Sequence, residues 1–199
     1  MNLPRQDVVR CQWCSADPVY QRYHDHEWGV PEYDGQRLFE KLLLDGFQAG
    51  LSWITILKKR ERYRQLYRGF DIPFMAAQSD ADLQALMLEP GIIRNRLKIQ
   101  AARQNARAWL ALAEQTDPAA WLWQFVDGQP RINHFASHAE VPAITAEAQA
   151  MSKALKKVGF SFVGPTICYA FMQATGMVMD HTQDCFRYPE LGGTPIKQQ

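Results

Sequence analysis

Asp45 stands eight residues ahead of Trp53 in the run Leu42-Leu-Leu-Asp-Gly-Phe-Gln-Ala-Gly-Leu-Ser-Trp-Ile-Thr-Ile-Leu-Lys-Lys-Arg60, with Gly46 and Gly50 between them. A carboxylate accepts hydrogen bonds and favours a cationic ligand, an indole offers a π face, and glycines let backbone come close to either. The same pattern also describes an ordinary surface helix with an apolar side and a basic end. A second set lies at the two ends of the chain: Cys11, Cys14, His24 and His26 near one, His181 and Cys185 near the other. Thiolates and imidazoles are ligands of tetrahedral zinc, and residues four apart, such as 181 and 185, share a helix face. A closed site of two cysteines and two histidines would join the chain ends and stabilise the fold without activating water. Spacing leaves Cys14 and His24 as rivals for the second N-terminal ligand, and Cys11-x-x-Cys14 also fits a redox pair.

The elements that must hold these groups read as helices. Asp34-Gly35 opens one whose Leu38, Phe39, Leu42 and Leu43 form an apolar face leading to Asp45. Ser52 is placed to cap the next, with Trp53, Ile54, Ile56 and Leu57 facing inward ahead of Lys58, Lys59, Arg60 and Arg62. Phe70-Asp-Ile-Pro73 breaks the chain, Ser79-Asp80 caps a short helix, and Glu89-Pro-Gly-Ile-Ile93 turns tightly. A long helix over 94–113 follows, with Ile99, Ala102, Ala106, Trp109, Leu110 and Ala113 on a buried stripe and Arg96, Arg103 and Arg107 beside it. Helix, Pro-Gly turn and basic helix is the order of a helix-hairpin-helix, whose amides can hold a phosphate, and equally of a plain helical hairpin. Residues 131–143 read as irregular, 146–157 as a helix carrying Lys153, Lys156 and Lys157, and a last helix starts near Gly164-Pro165. Residues 1–10 read as a frayed leader and the stretch after Pro189 as a mobile tail. The expected fold class is all-α: one domain over 1–199, ordered at about 10–189.

Composition narrows the function classes. The chain has 199 residues, 47% of them hydrophobic and 22% charged, enough for a proper interior in a soluble protein. A net charge of +1 excludes a global positive field, so any nucleic-acid binding must use local patches. Six tryptophans serve either a Trp-rich core or surfaces for stacking. No apolar run is long enough to span a bilayer, and the first residues carry no apolar export signal. A cytoplasmic protein with reduced cysteines is the expectation.

Several short stretches then coincide. Arg10-Cys-x-Trp13, Asp17-Pro-x-Tyr-x-x-Tyr-His24, Glu27-Trp-Gly-Val-Pro31, Gln48-Ala-Gly-Leu-Ser-Trp-Ile-Thr55 and Gly91-Ile-Ile-Arg-Asn-Arg96 with Lys98-Ile99 run in order. Ser152-Lys-Ala-Leu-Lys-Lys157, Gly159-Phe-x-Phe-Val-Gly164, Tyr169-x-Phe-Met-Gln-Ala174 and Asp180-His181 continue them. Together they cover roughly residues 10–189 and resemble the 3-methyladenine DNA glycosylase I family, bacterial base-excision enzymes of the helix-hairpin-helix superfamily. The resemblance implies two helical lobes with a base pocket of Trp13, Tyr20, Tyr23, Asp45 and Trp53 between them. It implies a structural zinc on Cys11, His24, His181 and Cys185, with Cys14 and His26 as bystanders. It also implies that Gly50 and Leu51 approach the gap left when the damaged nucleotide swings out of the duplex. The family usually has Glu where this chain has Asp45, so the carboxylate here is one methylene shorter.

The chemistry expected of such a site follows. Methylation at N3 makes adenine cationic in the nucleotide and weakens its glycosidic bond, so the enzyme must mainly select and hold the base. Asp45 is the candidate catalytic residue, accepting from the exocyclic amine and favouring the cation. DNA contacts are expected from Gly91, Ile93, Arg94, Arg96 and Lys98 at the hairpin, and from Lys153 and Lys157. Bifunctional relatives carry Gly-x-Gly-x-Lys in the hairpin; here Ile93 and Asn95 stand at the second glycine and the lysine. A monomeric, monofunctional hydrolase is therefore expected, releasing free 3-methyladenine from duplex DNA and leaving an abasic site. Its rivals are a non-catalytic binder of alkylation damage on the same scaffold and a zinc-stabilised helical module for a protein or small cation.

Overall fold

Asp34 accepts from the amide of Arg37 and so starts α2 (Gly35–Gln48), the helix against which much of the chain packs. Its Leu38, Phe39, Leu42, Leu43 and Leu44 are all buried. Around it lie α3 (Trp53–Leu66), α6 (Arg96–Ala113), α7 (Pro118–Trp123) and α9 (Pro165–Ala174). The other helices are α1 (Pro18–His26), α4 (Ile72–Ala77), α5 (Asp80–Leu88), α8 (Ala146–Lys157) and α10 (Arg187–Glu190). α4 packs on α6, α8 on α9 and α1 on α3. The computed structural model describes residues 8–194. One large core joins residues from Leu38 to Val178, and a smaller cluster of Cys11, Tyr23, Trp28, Leu57, Ala174 and Cys185 lies where the chain ends meet.

The helical reading holds, with one addition. β1 (Arg131–Ile132) pairs in parallel with β2 (Val178–Met179), Arg131 opposite Val178 and Ile132 opposite Met179. Two residues per strand carry too little alternation to be read from sequence.

Local expectations need correction at several points. Phe70-Asp-Ile-Pro73 starts a helix: Asp71 caps α4 by accepting from the Phe74 amide, and Pro73 sits in the first turn, where its missing N–H costs nothing. α6 begins at Arg96 because Asn95 caps it, accepting from the Lys98 amide. Ala113 is exposed, and Leu112 takes the inward place. Arg103 and Arg107 donate to the carbonyls of Gln78 and Ala76, so they brace α4 against α6. Ser52 makes no cap; its hydroxyl pairs with that of Thr55 at 2.7 Å. His181 and Cys185 do not share a helix but a turn, closed by the Cys185 amide on the Thr182 carbonyl at 2.8 Å.

Both chain ends are tied down further than expected. The Phe186 amide donates to Val9, and the Gly193 amide to Tyr188. The rest of the leader and tail readings, residues 1–7 and 195–199, lies outside the described residues.

Candidate functional site

A cavity of about 170 Å³ opens between α1, α2, α3 and α9. Trp13, Tyr20, Tyr23, Asp45 and Trp53 all line it, and Lys41, Gln48, Gln173 and Asp180 are among the residues that complete it. The rings form a tilted wall: Trp13 stands 5.1 Å from Tyr20 and 4.9 Å from Trp28, and Tyr23 stands 5.3 Å from Trp53, centroid to centroid. Asp45 is 1% exposed. One of its oxygens accepts from Lys41, one turn earlier on α2; the other, Oδ2, has no partner. The indole Nε1 atoms of Trp13 and Trp53 are likewise buried and unpartnered. A buried polar atom left unpaired costs about 1–3 kcal/mol. Three on residues lining one cavity mark a place where a ligand bearing both donors and acceptors would complete the set.

Electrostatics sharpen this picture. Burial pushes the Asp45 carboxyl up, against the opposing pull of the Lys41 ammonium, and burial pushes Lys41 down against the pull of Asp45. The Lys41 ammonium also lies 3.9 Å from the centre of the Trp53 ring. Asp180 differs in kind: it accepts from Tyr169 at 2.5 Å, from Gln173 at 2.8 Å and from Asn133 at 2.6 Å. Its hydrogen bonds fix it as a rigid part of the wall.

The chain ends meet in a second constellation. The ligand atoms of Cys11, His24, His181 and Cys185 all lie within 4.8 Å of one another, and all four residues are buried. Cys11 Sγ and Cys185 Sγ stand 3.4 and 3.3 Å from His181 Nδ1, and Cys185 Sγ stands 3.4 Å from His24 Nε2. The edge of a tetrahedron with metal–ligand bonds of 2.0–2.3 Å is roughly 3.5 Å, so the donor set fits a metal ion. Each imidazole is oriented from behind: His24 Nδ1 meets Asp25 at 2.9 Å, and His181 Nε2 meets the Trp28 carbonyl at 3.0 Å. Burial pushes Asp25 up, but Arg10 and His24 hold it below the usual carboxylate range. The two thiols act on each other in opposite directions, pushing Cys11 up, with burial, and drawing Cys185 down, with help from His181 and His24. The choice that spacing left open falls on His24, with Cys14 and His26 outside the cluster.

The residues expected at DNA divide. Gly50 and Leu51 form an exposed loop between α2 and α3, and the Arg94, Arg96, Lys153 and Lys157 side chains are exposed. Lys98 is not: 7% exposed, its ammonium donates to the carbonyls of Phe47 at 2.8 Å and Ala49 at 2.6 Å. It is a brace beneath the 49–52 loop and has turned away from any phosphate. The hairpin amides are committed too, that of Gly91 to Glu89 at 2.9 Å and that of Ile93 to the Tyr63 hydroxyl at 3.0 Å. Gly91 is required there, since a Cβ would meet the Arg62 side chain at 2.6 Å.

Comparison with known proteins places this architecture. A profile of the methyladenine glycosylase family matches residues 13–188. The chain belongs to the methyladenine glycosylase family. Among relatives of this methyladenine glycosylase family member, DNA-3-methyladenine glycosylase 1 of Escherichia coli (strain K12) is 51% identical over 183 residues, 92% of this chain and 98% of that one. A crystal structure of 3-methyladenine DNA glycosylase I matches with a TM-score of 0.89 at 54% identity, over 89% of this chain and 98% of that one. A single-residue variant of a 3-methyladenine DNA glycosylase I, solved in complex with 3-methyladenine, matches with a TM-score of 0.86 at 35% identity, over 89% and 96% of the two chains.

Sequence reasoning on this methyladenine glycosylase family member gave no role to Lys41, Gln48, Gln173 or Asp180, although the last three lie in the stretches that carried the resemblance. Lys41 had a signal, since it precedes Asp45 by four residues in a helix already recognised. Asp180 had its place in the matched pair Asp180-His181.

Proposed function

We propose that this protein is a monofunctional DNA glycosylase that takes 3-methyladenine out of alkylated duplex DNA and hydrolyses its glycosidic bond, leaving an abasic site. The observation that carries the reading is the buried, unpartnered Oδ2 of Asp45 in a cavity walled by tryptophans and tyrosines. That oxygen can accept from the exocyclic amine of an adenine, while the buried indole N–H groups can donate to ring nitrogens. The aromatic faces favour a cationic purine over its neutral parent, at about 0.5–2 kcal/mol per contact. The base in the nucleotide is already a good leaving group, so holding it and stabilising its departure supply most of what the enzyme must do. Relatives named for the same substrate support this reading.

The two helical lobes meet at the pocket, and the loop carrying Gly50 and Leu51 faces the duplex gap. Arg94 and Arg96, on the α5–α6 hairpin, and Lys153 and Lys157 supply the cationic contacts to the backbone. Lys98 acts one step behind, by holding the loop. Cys11, His24, His181 and Cys185 hold one zinc ion, whose four protein ligands make it a structural support. Asn95 caps α6, a role that fits a hairpin without a Schiff-base lysine.

Incubation with N-methylated duplex tests the reading directly. Free 3-methyladenine should appear with intact, alkali-labile strands, and borohydride should trap no protein–DNA adduct. A gel shift without base release would select the non-catalytic binder, and a trapped adduct would overturn the monofunctional mechanism.

A further inference from the structure

The Cys11-Gln-Trp-Cys14 motif is only half used by the buried cluster: Cys11 belongs to it and Cys14 does not. The two cysteines close a tight turn, in which the Cys14 amide donates to the Cys11 carbonyl at 2.9 Å. A turn of this kind holds its first and fourth Cα atoms within about 7 Å, and a disulfide spans Cα atoms roughly 4.4–6.8 Å apart. Both thiols are free, so the pair is reduced and within bridging reach. Resting on the reading of the cluster as a metal clasp, we infer that Cys14 is a resolving cysteine, which captures an oxidised Cys11 as a reversible disulfide.

The chemistry follows from the place of each sulfur. With a metal bound, Cys11 is held as a thiolate. Hydrogen peroxide takes two electrons from that thiolate: the O–O bond breaks, Cys11 becomes a sulfenic acid and hydroxide leaves. The Cys14 thiol then attacks the Cys11 sulfur. The S–O bond breaks, the S–S bond forms, and the Cys14 proton departs with the oxygen as water. Cys185 also lies near Cys11, but it remains in the donor set with His24 and His181, whereas the Cys14 thiol is turned to the Ser15 carbonyl at 3.7 Å. Burial pushes the Cys14 thiol up to about 11, which suits a group that waits for a neighbouring sulfenic acid and is not itself oxidised first. Cys11 is 2% exposed, so the first step is slow. Without capture, the sulfenic acid goes on to a sulfinic acid, which reducing agents do not reverse. Trp13 lies inside the turn and lines the cavity, so a bridge that preserves the turn also keeps that wall in place.

The test treats the full, zinc-bound chain with hydrogen peroxide, wild type against Cys14→Ser, after melting and metal analysis confirm that both start folded and loaded. In the wild type, peptide mass mapping should find a Cys11–Cys14 disulfide, and a coloured chelator should detect zinc made accessible by the loss of one ligand. Dithiothreitol with added zinc should then restore the original melting temperature. In Cys14→Ser, Cys11 should carry a sulfinic acid, and the fraction recovered should fall about tenfold or more. A Cys11–Cys185 bridge in the wild type, equal recovery in the variant, or a Cys11 left unoxidised in both proteins would overturn the role of Cys14 and leave the clasp standing. An untreated wild type that is folded but holds no zinc would overturn the clasp and this inference with it.

Discussion

Burial raises the pKa of Asp45, so its carboxylate is lost at a higher pH than that of an exposed aspartate. Protonation removes both the negative charge and the free acceptor, so base release is present above the raised pKa and falls as pH drops through it. The expected pH–rate profile has an acid limb with its midpoint above the ordinary aspartate range, and that limb should vanish in Asp45→Asn. A limb that persists in the variant would belong to another group. At this scale much of the pocket was legible, because carboxylate, glycines and indole lie within nine residues. Lys41 was not read, although its spacing was available, because a lysine on a surface helix is ordinarily solvated. Only its pairing with Asp45 and its place over the Trp53 ring of α3 show that this one points inward.

Helices were read more securely than the loops that join them. The apolar faces of α2 and α6 were visible from periodicity, whereas α4 was hidden by Pro73, a residue that breaks helices in their interior and suits their first turn. The basic start of α6 was expected to meet DNA through Arg94, Arg96 and Lys98, but Lys98 is folded under the 49–52 loop, and Arg103 and Arg107, read as a basic row beside the buried stripe, are tied to α4. Two predictions separate these roles. Lys98→Met leaves the Phe47 and Ala49 carbonyls unpaired and should cost about 2–4 kcal/mol in denaturant unfolding, with faster amide exchange across the loop. The salt slope of duplex binding should barely change. Arg96→Ala should do the opposite, keeping stability while flattening that slope by about one unit. An unchanged slope would remove Arg96 from the footprint.

At the scale of the whole molecule, residues 11 and 24 meet 181 and 185, and only the folded chain brings them together. Spacing supplied the candidates but left His24 and Cys14 as rivals; the family resemblance pointed to His24, and the turn of α1 that carries it inward, with Asp25 behind it, gives the physical reason. Stripping the metal should remove a link between the chain ends and lower the melting temperature by about 10 °C or more. One zinc per chain by mass spectrometry is the companion expectation, and a metal-free protein with unchanged melting would contradict the clasp. The central claim concerns the pocket that this clasp helps to frame: Asp45 and its aromatic wall recognise an alkylated purine outside the helix. The most direct test is the single-turnover rate of 3-methyladenine release from methylated duplex, wild type against Asp45→Asn. The account predicts a loss of about a hundredfold or more in a variant that still melts as the wild type does; equal rates would contradict it.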